Sequence, residues 1–269
     1  MNKIIGFIGY GNMGHALVNS IIRENLVPLE NIIVSKKEIT QKTIASNKHN
    51  IRIIADNIEV AEKSDILILA VKPLIFDDLL NEIKNNIKKD AIVISIAAGI
   101  SLSYLKNHLN EGTKIVRAMP NTPALVGEGM TAYSVGCKLS DRELAEVESI
   151  FDSFGMSQVI DERLMDGVTS IASSSPAYVY MMIEALADGG VREGIPRHLA
   201  YTLASQAVLG SAKMVLETGL HPGELKDKVC SPGGVTIEAV AKLEKNGFRS
   251  AIIEAVKECI DKSKEIGKG

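Results

Sequence analysis

The sequence has no tryptophan, and aromatic residues make up only 4% of it, too few to build a base-stacking surface. Neither charge sign is in large excess. The formal net charge is -3 and no basic tract occurs, so nothing draws the chain to nucleic acid or to an anionic membrane. The three cysteines, Cys137, Cys230 and Cys259, are odd in number, widely spaced and form no Cys-x-x-Cys pair. That usage predicts reduced thiols and a cytoplasmic location. No apolar run approaches about 18 residues, so no membrane span is expected. The apolar N-terminus breaks at Gly9 and no cleavage-type site follows, which argues against a secretory signal.

Several chemistries are missing as well. There is no G-x-x-x-x-G-K-[ST] for phosphoryl transfer and no nucleophile elbow. His15, His49, His108, His198 and His221 show no His-Glu-x-x-His or clustered spacing, so no metal site is expected. No histidine or cysteine stands out as a strong general acid or base. Hydride transfer to an already electrophilic C=N bond asks for less, mainly orientation against a nicotinamide.

What is present starts with Gly9-Tyr10-Gly11-Asn12-Met13-Gly14, a complete G-x-G-x-x-G. It follows the β-type run Lys3–Ile8 and opens a helical pattern over Asn12–Glu24, the context a dinucleotide needs. Gly9 permits the tight turn, Gly11 lets a pyrophosphate approach, and Gly14 allows helix and strand to pack closely. The next apolar strand ends at Ser35, where an acidic residue would hold the ribose diol of NAD. Here Ser35-Lys36-Lys37-Glu38 supplies a hydroxyl and two cations. These favour the 2′-phosphate of NADPH, with NADH as the alternative if the lysines are solvated and Glu38 is a displaced acid.

Further strands are expected at Ile51–Ile54, Asp65–Val71, Ala91–Ala97 and Lys114–Met119. Helices are expected at Leu74–Ile87, Ser101–Leu109 and Ser140–Phe154. This βα alternation predicts an α/β fold, a doubly wound, mostly parallel sheet of Rossmann type, over residues 1–160. Ligands of such sheets lie beyond the carboxyl ends of the strands. That rule brings in Ala70-Val71-Lys72-Pro73, Ala97-Ala98 and the stiff Asn121-Thr122 turn, which reads either as aimed at a ligand or as merely rigid.

Past about residue 160 the β-branched runs stop. Helices are expected at Ala177–Val191, His198–Glu217, Pro222–Val229, Thr236–Asn246 and Ala251–Lys264, an all-helical domain over 161–269. Its small and apolar residues point to a dimer interface. Between two of these helices lies Ser231-Pro232-Gly233-Gly234-Val235-Thr236. Pro232 can open a helical turn, and bare glycine N–H groups at a helix start form an anion site. Ser231 and Thr236 flank it with hydroxyls. A pocket for a small carboxylate and a plain helix start with a glycine turn account for this loop equally well.

Together these stretches resemble pyrroline-5-carboxylate reductase over almost the whole chain. The likeness runs through Gly9–Gly14, Ala70–Pro73, Met119–Pro123, Ser173–Tyr178, Glu184–Gly190, His221–Asp227 and Ser231–Thr236. The last of these is the specific one; the glycine motif is shared by many oxidoreductases. The resemblance implies NAD(P)H-dependent reduction of L-1-pyrroline-5-carboxylate to L-proline, the last step of proline biosynthesis. It also implies an intertwined homodimer or a higher homo-oligomer. By the same resemblance Ile8, Gly9, Tyr10, Gly11, Asn12, Met13, Ser35, Asn57, Ala70, Val71, Lys72, Pro73, Ala97 and Ala98 contact the cofactor. Glu162, Val235 and Thr236 line the substrate site, with Ser231 and Gly234 close by. Thr236 hydrogen-bonds the imine nitrogen, and the loop N–H groups hold the carboxylate. Two positions depart from the family pattern: Ser173-Ser174-Ser175 stands where Gly-Ser-Gly is common, and Lys228 where asparagine is common.

Overall fold

The computed structural model describes residues 1–266 apart from 42, 44–46 and 48. Two compact units result, Met1–Ser173 together with the chain end from Ile260, and Ser174–Cys259.

The first unit carries an eight-stranded sheet: β1 (Ile5–Ile8), β2 (Ile32–Ser35), β3 (Arg52–Ile54), β4 (Ile66–Leu69), β5 (Ile92–Ser95), β6 (Lys114–Met119), β7 (Gly129–Val135) and β8 (Gly155–Val159). The order is β3-β2-β1-β4-β5-β6-β7-β8, and all pairs are parallel except β6 with β7. Helices α1 (Asn12–Arg23), α2 (Asn57–Lys63), α3 (Phe76–Ile83), α4 (Leu102–His108) and α5 (Asp141–Asp152) accompany it. The Rossmann-type expectation holds, and its reason is visible in β1. Ile5 and Phe7 join one core with Leu17, Ile21 and Phe151, whereas Ile8 joins another with Val60, Phe76 and Leu80. A strand apolar on both faces needs helices on both, and each fully buried side chain of this size contributes about 1.5–3 kcal/mol.

β7 and β8 are absent from the expectations above. Neither is a continuous apolar run, and their pairing joins segments far apart in sequence: Gly129 faces Gly155. Gly155 has φ 146°, and a Cβ there would lie 1.9 Å from the Gly129 carbonyl oxygen. The expected helix from Leu74 to Ile87 is also divided. Pro73–Ile75 forms a 3₁₀ turn and α3 begins only at Phe76.

Helix α5 starts with a capping box between Ser140 and Glu143, and Glu143 also accepts a hydrogen bond from Lys114 Nζ at 2.6 Å. The Lys114 contact, aided by the Ser140 amide, holds the Glu143 carboxyl down to about 2 against an ordinary 4.5. A depressed carboxylate stabilises the fold above its unfolded value, and that stabilisation is lost as pH falls from about 4.5 through about 2. The melting temperature of the chain is therefore expected to drop more steeply across this range than that of Lys114→Met, as read by thermal denaturation. Parallel curves would mean that the pair is screened away.

Residues 162–173 extend this first unit. A 3₁₀ turn at Glu162–Leu164 leads into α6 (Met165–Val168) and a π-helical turn at Thr169–Ser173. Met165 is fully buried against Met119 and Ala132.

The second unit holds α7 (Ser175–Arg192), α8 (Arg197–Thr218), α9 (Pro222–Val229), α10 (Val235–Lys245) and the start of α11 (Phe248–Ile266). Within it only Ala187, Ala200 and Ala204 are buried among the described residues. Tyr180, Met181, Leu203, Leu209, Leu216 and Ile253 all stand exposed. A helix as apolar all round as α8 is the kind that is buried in a larger assembly.

Candidate active-site elements

The glycine motif sits where the sheet order reverses, β1 lying between β2 and β4, the switch point at which such sheets bind nucleotides. Gly9 has φ 104°, and a Cβ on it would come within 2.5 Å of the Ala70 carbonyl oxygen. Its N–H donates to the Ser35 carbonyl at 3.0 Å, which ties the turn to the end of β2. A Cβ on Gly14 would lie 2.5 Å from the Gly9 oxygen, so helix and turn meet backbone to backbone. Gly11 differs from both. A Cβ there would meet nothing within 4 Å, and Gly11 caps α1 with no side-chain hydrogen bond. No packing among the described residues requires glycine at this position. The bare, uncapped helix start beside open space fits a pyrophosphate.

The other expected cofactor residues end neighbouring strands on the same edge. Ser35 is buried, and its Oγ donates to Asn57 Oδ1, while Asn57 Nδ2 donates to Glu82 Oε2 at 2.9 Å. Lys36 is half-buried with Nζ 2.8 Å from Thr43 Oγ1, and Lys37 and Glu38 are exposed. Ala70 and Val71 are half-buried after β4, and Lys72 and Pro73 are exposed at the 3₁₀ turn that follows. Ala97 is buried and Ala98 exposed in the turn after β5. Ile8 and Tyr10 are buried, Met13 is half-buried and Asn12 is exposed. Asn121 turns out to be a tie rather than a side chain aimed at a ligand. It is buried, it donates to the Ala172 carbonyl, and it accepts from Met130 N, both at 2.9 Å.

Glu162 lies in the first unit, at the amino end of α4. Its Oε1 accepts from Leu102 N at 2.7 Å and from Arg117 Nη1 at 2.9 Å. Arg117 is absent from the expected site residues. Its one signal in the sequence is a charge in the middle of the strand Lys-Ile-Val-Arg-Ala-Met.

In the second unit, Ser231-Pro232-Gly233-Gly234 forms a tight turn closed by Gly234 N donating to the Ser231 carbonyl at 3.0 Å. Gly233 has φ 67°, so proline followed by a left-handed glycine makes this a type II turn. The helix opens at Val235, one residue before the expected Thr236, and Pro232 lies in the turn ahead of it. A Cβ on Gly234 would lie 2.3 Å from Ser231 Oγ and 3.1 Å from the Ser231 carbonyl oxygen, so a side chain there would turn the Ser231 hydroxyl away. Gly234 caps α10 with no side-chain hydrogen bond, which leaves the first N–H groups uncapped, with Val235 and Thr236 as the first two helical residues. Ser231 and Val235 are exposed and Thr236 is half-buried. His221 caps α9, its Nδ1 accepting from Gly223 N at 3.0 Å, and the exposed Lys228 pairs with Glu224 at 2.9 Å.

Among the described residues, no group of three or more His, Cys, Asp or Glu that could hold a metal comes together, and no helix is long and apolar enough to cross a membrane.

Residues 162–266 match the family model described as pyrroline-5-carboxylate reductase dimerisation. Residues 4–99 match the one described as NADP oxidoreductase, coenzyme F420-dependent. The pyrroline-5-carboxylate reductase of Escherichia coli K12 is 48% identical over 268 residues, covering 100% of both chains. That of Methanosarcina acetivorans is 45% identical over 99% of both. Among solved structures, the Plasmodium falciparum pyrroline carboxylate reductase with NADP bound superposes with a TM-score of 0.89 at 36% identity, covering 99% of this chain and 98% of that one. The Coxiella burnetii pyrroline-5-carboxylate reductase gives 0.91 at 30% identity over 100% of both.

Proposed function

The chain belongs to the pyrroline-5-carboxylate reductase family, and from that premise we propose which of its residues carry the reaction. The reaction is the NAD(P)H-dependent reduction of L-1-pyrroline-5-carboxylate to L-proline, the last step of proline biosynthesis. Residues 1–160 bind the cofactor; 161–269 form the dimer and bind substrate. The cofactor, when bound, supplies the hydride for the imine carbon. The glycine turn with Ile8, Tyr10, Asn12 and Met13 receives its pyrophosphate. Ser35, Asn57, Ala70–Pro73 and Ala97–Ala98 line the rest of its path. The uncapped N–H groups at the start of α10 hold the substrate carboxylate, where the helix dipole favours an anion. The Thr236 hydroxyl hydrogen-bonds the ring nitrogen and so orients the imine carbon toward the hydride. Ser231 and Gly234 shape that turn, and Glu162 lines the substrate site.

The observation that carries the substrate half is the uncapped helix start at Val235, with the Ser231 hydroxyl packed beside the bare Gly234. An assay of NADPH absorbance against L-1-pyrroline-5-carboxylate tests it. No loss of absorbance with folded protein would overturn the reading.

NADPH is the preferred cofactor, since Lys36 and Lys37 stand where NAD would ask for an acid. Charge-assisted hydrogen bonds to a 2′-phosphate contribute about 1.5–3 kcal/mol. Lys36→Glu should therefore lower the NADPH-to-NADH ratio of kcat/KM about 10- to 100-fold. An unchanged ratio would leave Lys36 as a tether for Thr43 alone. The exposed apolar faces of α7 and α8 are buried in a homodimer or a larger homo-oligomer, which sedimentation at dilute concentration would test. Three free thiols and a biosynthetic reaction support a cytoplasmic location.

A further inference from the structure

We propose that Arg117 is a positioning residue that clamps one carboxylate oxygen of Glu162 and leaves the other to face the protonated ring nitrogen of substrate and product. This rests on the reading that Glu162 lines the substrate site. Arg117 lies inside β6, paired with Ser95 of β5 on one side and Ser134 of β7 on the other. Its side chain is 8% exposed, a costly place for a guanidinium without a strong partner. A purely structural arginine would have its donors satisfied. Here Nη1 donates to Glu162 Oε1 at 2.9 Å, while Nε is buried with no acceptor among the described residues.

Glu162 is asymmetric in the matching sense. Its Oε1 takes two donors, Arg117 Nη1 and Leu102 N, and Oε2 makes no hydrogen bond among the described residues. The side chain keeps 30% of its exposure. Leu102 is the first residue of α4, which follows the Ala97–Ala98 turn, so the backbone donor that pins Glu162 stands beyond the carboxyl end of β5. The free oxygen therefore stands at the edge where hydride chemistry takes place in this fold. A carboxylate oxygen is an acceptor and an anion. Its complement is an N–H that carries positive charge, as in the iminium before hydride arrives and the secondary ammonium of proline afterwards. Leu102 N alone leaves the carboxylate free to swing about one hydrogen bond. Arg117 supplies the second anchor, and with it the direction of Oε2.

Steady-state kinetics at saturating NADPH on Arg117→Met, Arg117→Lys, Glu162→Gln and the double variant Arg117→Met/Glu162→Gln test this. NADPH affinity by fluorescence and the thermal midpoint are measured on each. Glu162→Gln and Arg117→Met should each raise KM for L-1-pyrroline-5-carboxylate about tenfold, with NADPH affinity within about twofold. The double variant should be no worse than Glu162→Gln, because a residue acting through another adds nothing once that other is gone. Arg117→Lys should recover part of the loss. If Glu162→Gln has normal KM, the substrate reading of Glu162 falls and takes the proposal with it. If Glu162→Gln is impaired but Arg117→Met is not, or if the two losses add, the reading of Glu162 survives and positioning by Arg117 is overturned. Should Arg117→Met fail to fold, the same cycle run with Arg117→Lys decides between these outcomes.

Discussion

Thr236→Ala should lower kcat/KM for L-1-pyrroline-5-carboxylate by about 10²–10³-fold, the loss usual when one hydrogen-bonding group aimed at a reacting centre is removed. The substitution is unusually clean. Thr236 is the second residue of α10, and the helix has no side-chain cap, so its hydroxyl is not closing the helix start. Alanine is also a better helix former than threonine by several tenths of a kcal/mol. The variant should therefore melt no earlier than the parent and bind NADPH unchanged while turning over poorly. Thr236→Ser keeps the hydroxyl and should retain activity within about tenfold of the parent. A parallel fall in NADPH affinity would mean that the loop serves the cofactor and that the assigned roles are wrong. Full activity in Thr236→Ala would remove the hydroxyl from the chemistry altogether.

The second large effect separates two glycines of one motif. Gly11→Val should abolish NADPH binding, raising Kd more than about 100-fold, while the fold survives. A Cβ at Gly11 meets no atom of the described residues within 4 Å, and its φ of -81° suits any residue. Valine at a helix cap costs only roughly 1 kcal/mol. The lost affinity would reflect side-chain atoms standing where the pyrophosphate must approach. Gly9→Ala should do the reverse damage. Its φ of 104° and a Cβ 2.5 Å from the Ala70 oxygen force the turn apart, at a cost of about 3 kcal/mol or more. At about 2–4 °C per kcal/mol for a chain of this size, the melting temperature should fall by roughly 10 °C. Calorimetry and NADPH titration on the two variants make the test. Equal destabilisation by both would show that Gly11 is a packing glycine after all.

The two halves of the chain were unequally legible. β1, β4 and β5 announce themselves because strands covered on both faces are written as continuous apolar runs, such as Ile-Leu-Ile-Leu at 66–69. The glycine motif was readable for a related reason: backbone that must bend and pack closely asks for glycine at fixed spacing. β8 was not readable. Gly-Met-Ser-Gln-Val has a weak local pattern, and its strand character comes from pairing with β7. Arg117 and Glu162 were harder still, being 45 residues apart with nothing in either neighbourhood naming the other. The Asn121 turn misled because two prolines beside an amide look like a side chain being aimed, when the amide is satisfied by Ala172 and Met130.

By itself the sequence determined the Rossmann-type class, the nucleotide turn at Gly9–Gly14, the change to helices after the sheet and the family that the Ser231–Thr236 loop signals. All of these rest on short-range patterns, in which apolar periodicity and glycine spacing record what the backbone must do locally. Only the tertiary structure decided that Gly11 faces open space while Gly9 and Gly14 touch backbone, that the helix after the loop begins uncapped at Val235, and that one oxygen of Glu162 is held by Arg117 and Leu102. Those are facts about which atoms meet, and distant segments meet through the register of a sheet and the packing of its faces, which no single stretch of residues encodes.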